Sequence, residues 1–175
     1  MISVPLLHSG PNFLDSRKDI IKYSGIVDLE GLYKALVKWF LDRKYDFYED
    51  LYKDKPPELE IEWNASRKVN DFYKYRIKMS FHFYDLKEVE VIKDGKKRKM
   101  VKTRVWIIFD PILEYDWQNR WSKSEWSEKL LKFFVANVIK RELQLKYGDP
   151  LWYIYYRLHA FVKQYLGMEV GDNAY

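Results

Sequence analysis

The stretch FYKYRIKMSFHFYD, residues 72–85, alternates almost without a fault. Tyr73, Tyr75, Ile77, Met79, Phe81 and Phe83 are large and apolar or aromatic, and Lys74, Arg76, Lys78, Ser80 and His82 stand between them. A period of two is the signature of a strand with one face in a core and the other toward water. A sheet with one apolar face has to be covered by another layer, so this stretch constrains the fold more than any other.

Two neighbouring segments share the pattern. In ELEIEW, residues 58–63, Leu59, Ile61 and Trp63 alternate with Glu58, Glu60 and Glu62; in MVKTRVWIIFD, residues 100–110, Val101, Val105, Ile107 and Phe109 fall at odd positions. A register slip of one residue would turn an apolar row into water, so opposite residues must have the same parity. A three-residue loop, Lys93-Asp94-Gly95, satisfies this with Gly95 in a left-handed conformation. It sets Phe83 opposite Val105, Phe81 opposite Ile107, Met79 opposite Phe109 and Glu90 opposite Arg98. By the same rule the first two strands pair Trp63 with Tyr73, Ile61 with Tyr75 and Leu59 with Ile77. Glu62, Glu60 and Glu58 then meet Lys74, Arg76 and Lys78, so the cation row is read as neutralised across the strand pair.

Helical periodicity flanks these strands. Asp28 is placed to cap a helix carrying Leu29, Leu32, Tyr33, Leu36, Val37 and Phe40 on one stripe, running to around residues 45–51 before Pro56-Pro57. After Asp110-Pro111, ILEYDW predicts a fourth short strand. Ser122 and Glu125 form an S-x-x-E capping box ahead of a helix with Trp126, Leu130, Phe133, Phe134, Val138 and Ile139. Gly148-Asp149-Pro150 is read as a break, followed by a last helix with Leu151, Tyr155, Leu158, Phe161, Val162, Tyr165 and Leu166, stopped by Gly167. Residues 1–17 read as an irregular arm, with a short strand near Ile20–Tyr23. The expectation is an α+β protein: an N-terminal helix, an antiparallel meander of three to five strands, and two C-terminal helices packed on one sheet face. Its layout is similar to that of the helix-grip domains, a resemblance that implies an apolar ligand held between sheet and helix.

The 175 residues fit one domain, 1–175. With no Cys, disulfides and thiolate chemistry are excluded, and no apolar run approaches the ~18 residues of a membrane span. A soluble, cytoplasmic protein is expected. The net charge of +5 is local: between Lys93 and Arg104, seven cations face Asp94 alone.

Three functions fit. The first is a non-catalytic interaction or structural protein. The last helix has more aromatics than one buried stripe needs, with Trp152, Tyr153, Ile154 and Tyr156 off that stripe, which points to a protein partner or self-association. The basic hairpin, Lys96, Lys97, Arg98 and Lys99, would add an electrostatic contact. The second is a carrier whose apolar cavity is lined by Tyr75, Ile77, Met79, Phe81, Phe109, Tyr155 and Phe161. The third is nucleic-acid binding through the hairpin cations with Arg104 and Trp106, beside His82 and Tyr84, since cations interleaved with aromatics suit phosphates and stacked bases. Enzymatic motifs are missing: G-x-S-x-G, G-x-G-x-x-G and the P-loop are absent. Asp110, Glu114 and Asp116 cluster after the third strand, but Asp110-Pro111 reads as a turn and the acids as solvated. His8, His82 and His159 lack metal-ligand spacing. No cofactor and no metal are expected.

Overall fold

A computed structural model describes residues 13–15, 18–93, 96–121 and 123–168. Among them, strands β1 (Phe13–Asp15), β2 (Asp19–Val27), β3 (Asp46–Lys55), β4 (Glu58–Lys68), β5 (Tyr73–Lys93) and β6 (Lys96–Tyr115) form one antiparallel sheet. Its order is β1-β6-β5-β4-β3, with β2 beside β1 on the free edge of β6. Helix α1 (Leu29–Asp42) and a C-terminal helical run lie on the face formed by the odd residues of β4, β5 and β6. The chain is therefore α+β, with an antiparallel sheet and a C-terminal helix against it.

The alternating stretch lies where its pattern demands. Tyr73, Tyr75, Ile77, Met79, Phe81 and Phe83 are all buried. Phe83 faces Val105, Phe81 faces Ile107 and Met79 faces Phe109. The hairpin tip differs from expectation. A bulge between Tyr84 and Lys87 shifts the register by one, so the ladder closes on Lys93 opposite Lys96, and Glu90 faces Lys99 rather than Arg98. Two residues, 94 and 95, separate the strands; both lie outside the described residues. Asp85 takes a left-handed φ of 54° at the bulge. The Leu86 N–H donates to the Pro57 carbonyl, and the buried Thr103 hydroxyl donates to the Tyr84 carbonyl. One extra residue on β5 thus reconciles even parity in the core with a two-residue turn at the tip.

The register of β4 on β5 also departs from expectation. Leu59 faces Phe83, Glu60 faces His82 and Trp63 faces Met79. The strands run on to Lys68 and from Tyr73, so the turn is far shorter than the alternation of ELEIEW alone suggests. The shift is even, so the apolar face is kept, but the three glutamates do not meet Lys74, Arg76 and Lys78. Arg76 instead forks onto Glu114, with Nε and Nη2 at 3.2 and 2.9 Å from Oε2.

Asp28 caps α1, its carboxylate accepting from the Gly31 N–H. The helix stops at Asp42, and Lys44 turns with a φ of 59° into β3. The expected helix tail is thus an edge strand, studded with Asp46, Glu49, Asp50, Lys53 and Asp54, which deter pairing with another chain. Pro56-Pro57 joins β3 to β4 in a tight turn, Lys55 facing Glu58. Phe13–Asp15, read as part of an irregular arm, pairs with β6, and ILEYDW continues β6 instead of forming a separate strand. Pro111 falls between the segments of β6 that pair β2 and β1.

The C-terminal helices are joined. α2 (Glu125–Phe134), a π-helical turn Val135–Ile139, α3 (Lys140–Leu143), a second π-helical turn Gln144–Gly148 and α4 (Asp149–Tyr165) follow without a break. Gly148 is helical, at φ −70°, so Gly-Asp-Pro does not interrupt the run: Pro150 lies in the first turn of α4, where its missing N–H costs little. The underside explains the π turns. Leu131, Val135, Ile139, Leu143, Tyr147, Leu151 and Tyr155 recur every fourth residue, and all are buried or partly buried. Four residues overshoot an α-helical turn by ~40°, so this stripe would wind off the sheet; wider π turns bring it back. α2 begins two residues later than expected, capped by a reciprocal Ser124–Ser127 pair; Ser122 lies outside the described residues. Gly167, at φ 68°, ends α4 as expected, and the Gly167 and Met168 N–H groups close on the Gln164 and Lys163 carbonyls.

Candidate functional site

Two surfaces carry the residues that the sequence singles out. The first is the outward side of the C-terminal helical run. Trp126 is 74% exposed, Phe133 63%, Leu130 52% and Phe134 45%, and Val138 and Leu145 are exposed with them. Tyr153 and Tyr156 extend this side along α4, while Trp152 is half-buried, its ring 5.5 Å from Tyr155 and 5.7 Å from Tyr156. The sequence reading placed Trp126, Leu130, Phe133, Phe134, Val138 and Ile139 on a helix packed against the sheet; of these, Ile139 packs against the core and the other five are exposed. The core instead takes Leu131, Val135 and Leu143. A signal was present: α2 is apolar on two sides, at Trp126/Leu130/Phe134 and at Leu131/Val135, more than one sheet face can cover.

The second surface is the outer face of the sheet. One rung crosses five strands: Lys53, Glu60, His82, Trp106 and Lys22. The His82 and Tyr84 rings stack at 3.9 Å, Tyr84 meets Trp106 edge-on at 5.5 Å, and Lys22 Nζ lies 4.5 Å over Trp106. His82, Tyr84, Arg104 and Trp106 are thus gathered as the register reasoning required. Arg104 is not a free cation: its Nε and Nη2 hold Asp85 at 2.9 and 2.6 Å. In the hairpin, Lys97, Arg98 and Lys99 are exposed, and Lys97 lies 3.6 Å from Glu90. Lys96 belongs to β6 through its backbone pairing.

Folding also assembles a group the sequence spacing conceals. Glu58, Glu60 and His82 bring one donor atom each to within 4.8 Å of one another. The acids after β6 have separate engagements. Glu114 holds Arg76, Asp110 lies 3.7 Å from Lys18, and buried Asp116 accepts from the Arg120 and Trp121 N–H groups.

The residues expected to line a carrier's cavity are packed: Tyr75, Ile77, Met79, Phe81, Phe109 and Tyr155 are buried, and Phe161 partly so. The pocket seen in this layer lies under α1 instead, between Leu32, Tyr33, Leu36, Ile61, Trp63 and Phe81. Its free space of about 10 Å³ is at the limit for one water.

Between sheet and α4, Tyr155 donates to Asp19 Oδ2, and His159 Nε2 sits 3.5 Å from the same carboxylate. Burial pushes the Asp19 carboxyl up, but the Tyr155 hydroxyl, the Ile20 N–H, His159 and Lys163 outweigh it and hold it low. Burial and Lys163 pull His159 below its ordinary 6.5, with Asp19 opposing. Both shifts make the unfolded chain the better proton acceptor in acid, so stability falls as pH drops below about 6.5. His159→Gln is expected to flatten the fall in Tm between pH 7 and 5, read by thermal denaturation across that range. An unchanged slope would remove His159 from the account.

No protein-family model matches this chain, and no curated protein matches it. Among the described residues, no helix is long and apolar enough to cross a membrane.

Proposed function

We propose that the protein is a non-catalytic association module whose C-terminal helical run pairs with the same run of a second copy. The observation that carries this reading is the exposed row of Trp126, Leu130, Phe133, Phe134, Val138 and Leu145 on a helix whose other side is already buried. Large contiguous apolar patches on a folded chain mark contact surfaces. Charge favours a second copy in antiparallel orientation. Residues 125–132 carry Glu125, Glu128, Lys129 and Lys132 and are neutral, whereas 139–146 carry Lys140, Arg141, Glu142 and Lys146, a net +2. Parallel pairing would set the two +2 ends together. Antiparallel pairing sets each against an end with two glutamates, and matches Trp126 with Leu145 and Phe133 with Val138 about a two-fold axis near Val135–Ala136. Sedimentation equilibrium is expected to give a dimer at micromolar concentration; a monomer at every concentration would overturn the reading.

A second reading is favoured by the gathering of Tyr84, Trp106, Lys22 and Arg104 on strands that lead to the hairpin cations: single-stranded nucleic acid lying along the outer sheet face. Such binding is expected to weaken steeply with salt and to be lost when Lys97, Arg98 and Lys99 are replaced with Ala, read by fluorescence anisotropy with a labelled oligonucleotide. Salt-independent or undetectable binding at low ionic strength would remove it.

A further inference from the structure

On the outer sheet face, Glu58 and Glu60 point the same way from β4, two residues apart, and His82 stands opposite Glu60 on β5. His82 Nε2 lies 3.4 Å from Glu58 Oε2 and 3.7 Å from Glu60 Oε1. A zinc ion bound tetrahedrally through nitrogen and carboxylate oxygen has ligand bonds of ~2.0–2.2 Å, which sets its donor atoms roughly 3.3–3.6 Å apart. The two histidine–carboxylate separations are close to such edges, and all three donors lie within 4.8 Å of one another, near enough to close on one ion.

The surroundings of the three donors are organised as a metal site requires. The other imidazole nitrogen, Nδ1, is 2.9 Å from the Tyr84 hydroxyl, and the two rings stack. A ligand histidine needs this arrangement: the partner on the second nitrogen fixes the tautomer and aims the first at the ion. Glu60 is steadied likewise. Lys53 Nζ takes its Oε2 at 3.0 Å and leaves Oε1 toward His82. Two carboxylates offset the charge of a divalent cation, while Lys53 opposes it and sets the affinity below that of a buried site. The side of Glu58 is half open to solvent, which leaves room for water or a further ligand in the fourth position.

We propose that Glu58, Glu60 and His82 bind a divalent transition-metal ion, with Zn²⁺ the ion that suits one imidazole and two carboxylates. The alternative is a plain cross-strand cluster, in which His82 does nothing but hydrogen-bond its neighbours. Calorimetric titration of the full chain with zinc chloride separates the two. Saturable binding of one ion per chain is expected, lost at least tenfold in affinity in His82→Ala and in the double variant Glu58→Gln/Glu60→Gln. Tyr84→Phe, which keeps all three donors and the ring stack, is expected to weaken binding about 10- to 100-fold. Co²⁺ is expected to give the strong visible absorption of a tetrahedral site in the parent chain and not in His82→Ala. Circular dichroism checks that each variant is folded; should His82→Ala not fold, the Tyr84→Phe titration and the Co²⁺ spectrum of the parent chain decide. Absence of saturable Zn²⁺ binding, or binding that survives loss of His82, would overturn the site.

Discussion

Phe134→Asp is expected to turn a dimer into a monomer while leaving the fold of each chain intact. Phe134 lies near the centre of the exposed row and next to the proposed two-fold axis, so each substitution is felt twice in a symmetric pair. Burying a Phe side chain contributes about 1.5–3 kcal/mol. Phe134 is already about half covered in the single chain, so the two copies lose roughly 1.5–3 kcal/mol of association, a weakening on the order of 10–10²-fold in Kd. In the proposed register each aspartate would stand opposite Asn137 of the second copy, which brings no charge to offset it. Sedimentation equilibrium reads the association, and thermal denaturation at low concentration reads the monomer. Leu131→Ala is the contrast. It stands three residues away but points at the sheet, and is 8% exposed. That change is expected to cost about 2–5 kcal/mol of chain stability and to leave dimerisation of the folded protein in place. If Phe134→Asp dimerises like the parent chain, the association surface is elsewhere. If it loses stability as Leu131→Ala does, that side of α2 belongs to the core.

The contrast between those two residues marks how far the sequence could be read. Parity alone fixed which side of β5 and β6 is buried, because one misplaced residue would put a whole row of Phe, Ile and Met into water. It could not fix length. The pairing of Glu60 with His82 rather than Arg76 differs from the expected one by an even step, which preserves every buried side chain and so leaves no trace in the pattern. The bulge at Asp85 escaped for a related reason: two odd-sum and even-sum halves of one hairpin are each consistent, and only an inserted residue joins them. β3 was hidden because Tyr48, Leu51 and Tyr52 have helical spacing, while the edge of the sheet overrides it. On the C-terminal run, a four-residue period looked like two α-helices with surplus aromatics. Two π turns make it one run with a buried underside and an apolar outer side. The Glu58–Glu60–His82 group was out of reach altogether, since its donors come from two strands whose register had to be known first.

Phe109→Ala tests the other half of the architecture, the grip between sheet and α4. Phe109 is fully buried on the inner face of β6, its ring 5.9 Å from that of Tyr155 and 5.6 Å from His159. β2 pairs with β6 at this position, placing Asp19 opposite Phe109, and Asp19 in turn accepts from the Tyr155 hydroxyl. One side chain therefore fills the space where β2, β6 and α4 meet. Its truncation leaves a cavity that two edge-on aromatic neighbours cannot close without moving the Asp19–Tyr155 hydrogen bond. A loss of about 3–5 kcal/mol is expected from denaturant unfolding, the range for a buried Phe cut to Ala. Trp106→Ala, three residues away on the same strand and 41% exposed on the outer face, is expected to cost under about 1 kcal/mol. The same strand thus carries a residue that holds the fold and one that faces outward, and the difference in ΔΔG measures which way each points. Comparable losses at both positions would mean that the outer face of β6 is itself covered, and that Trp106 is core rather than surface.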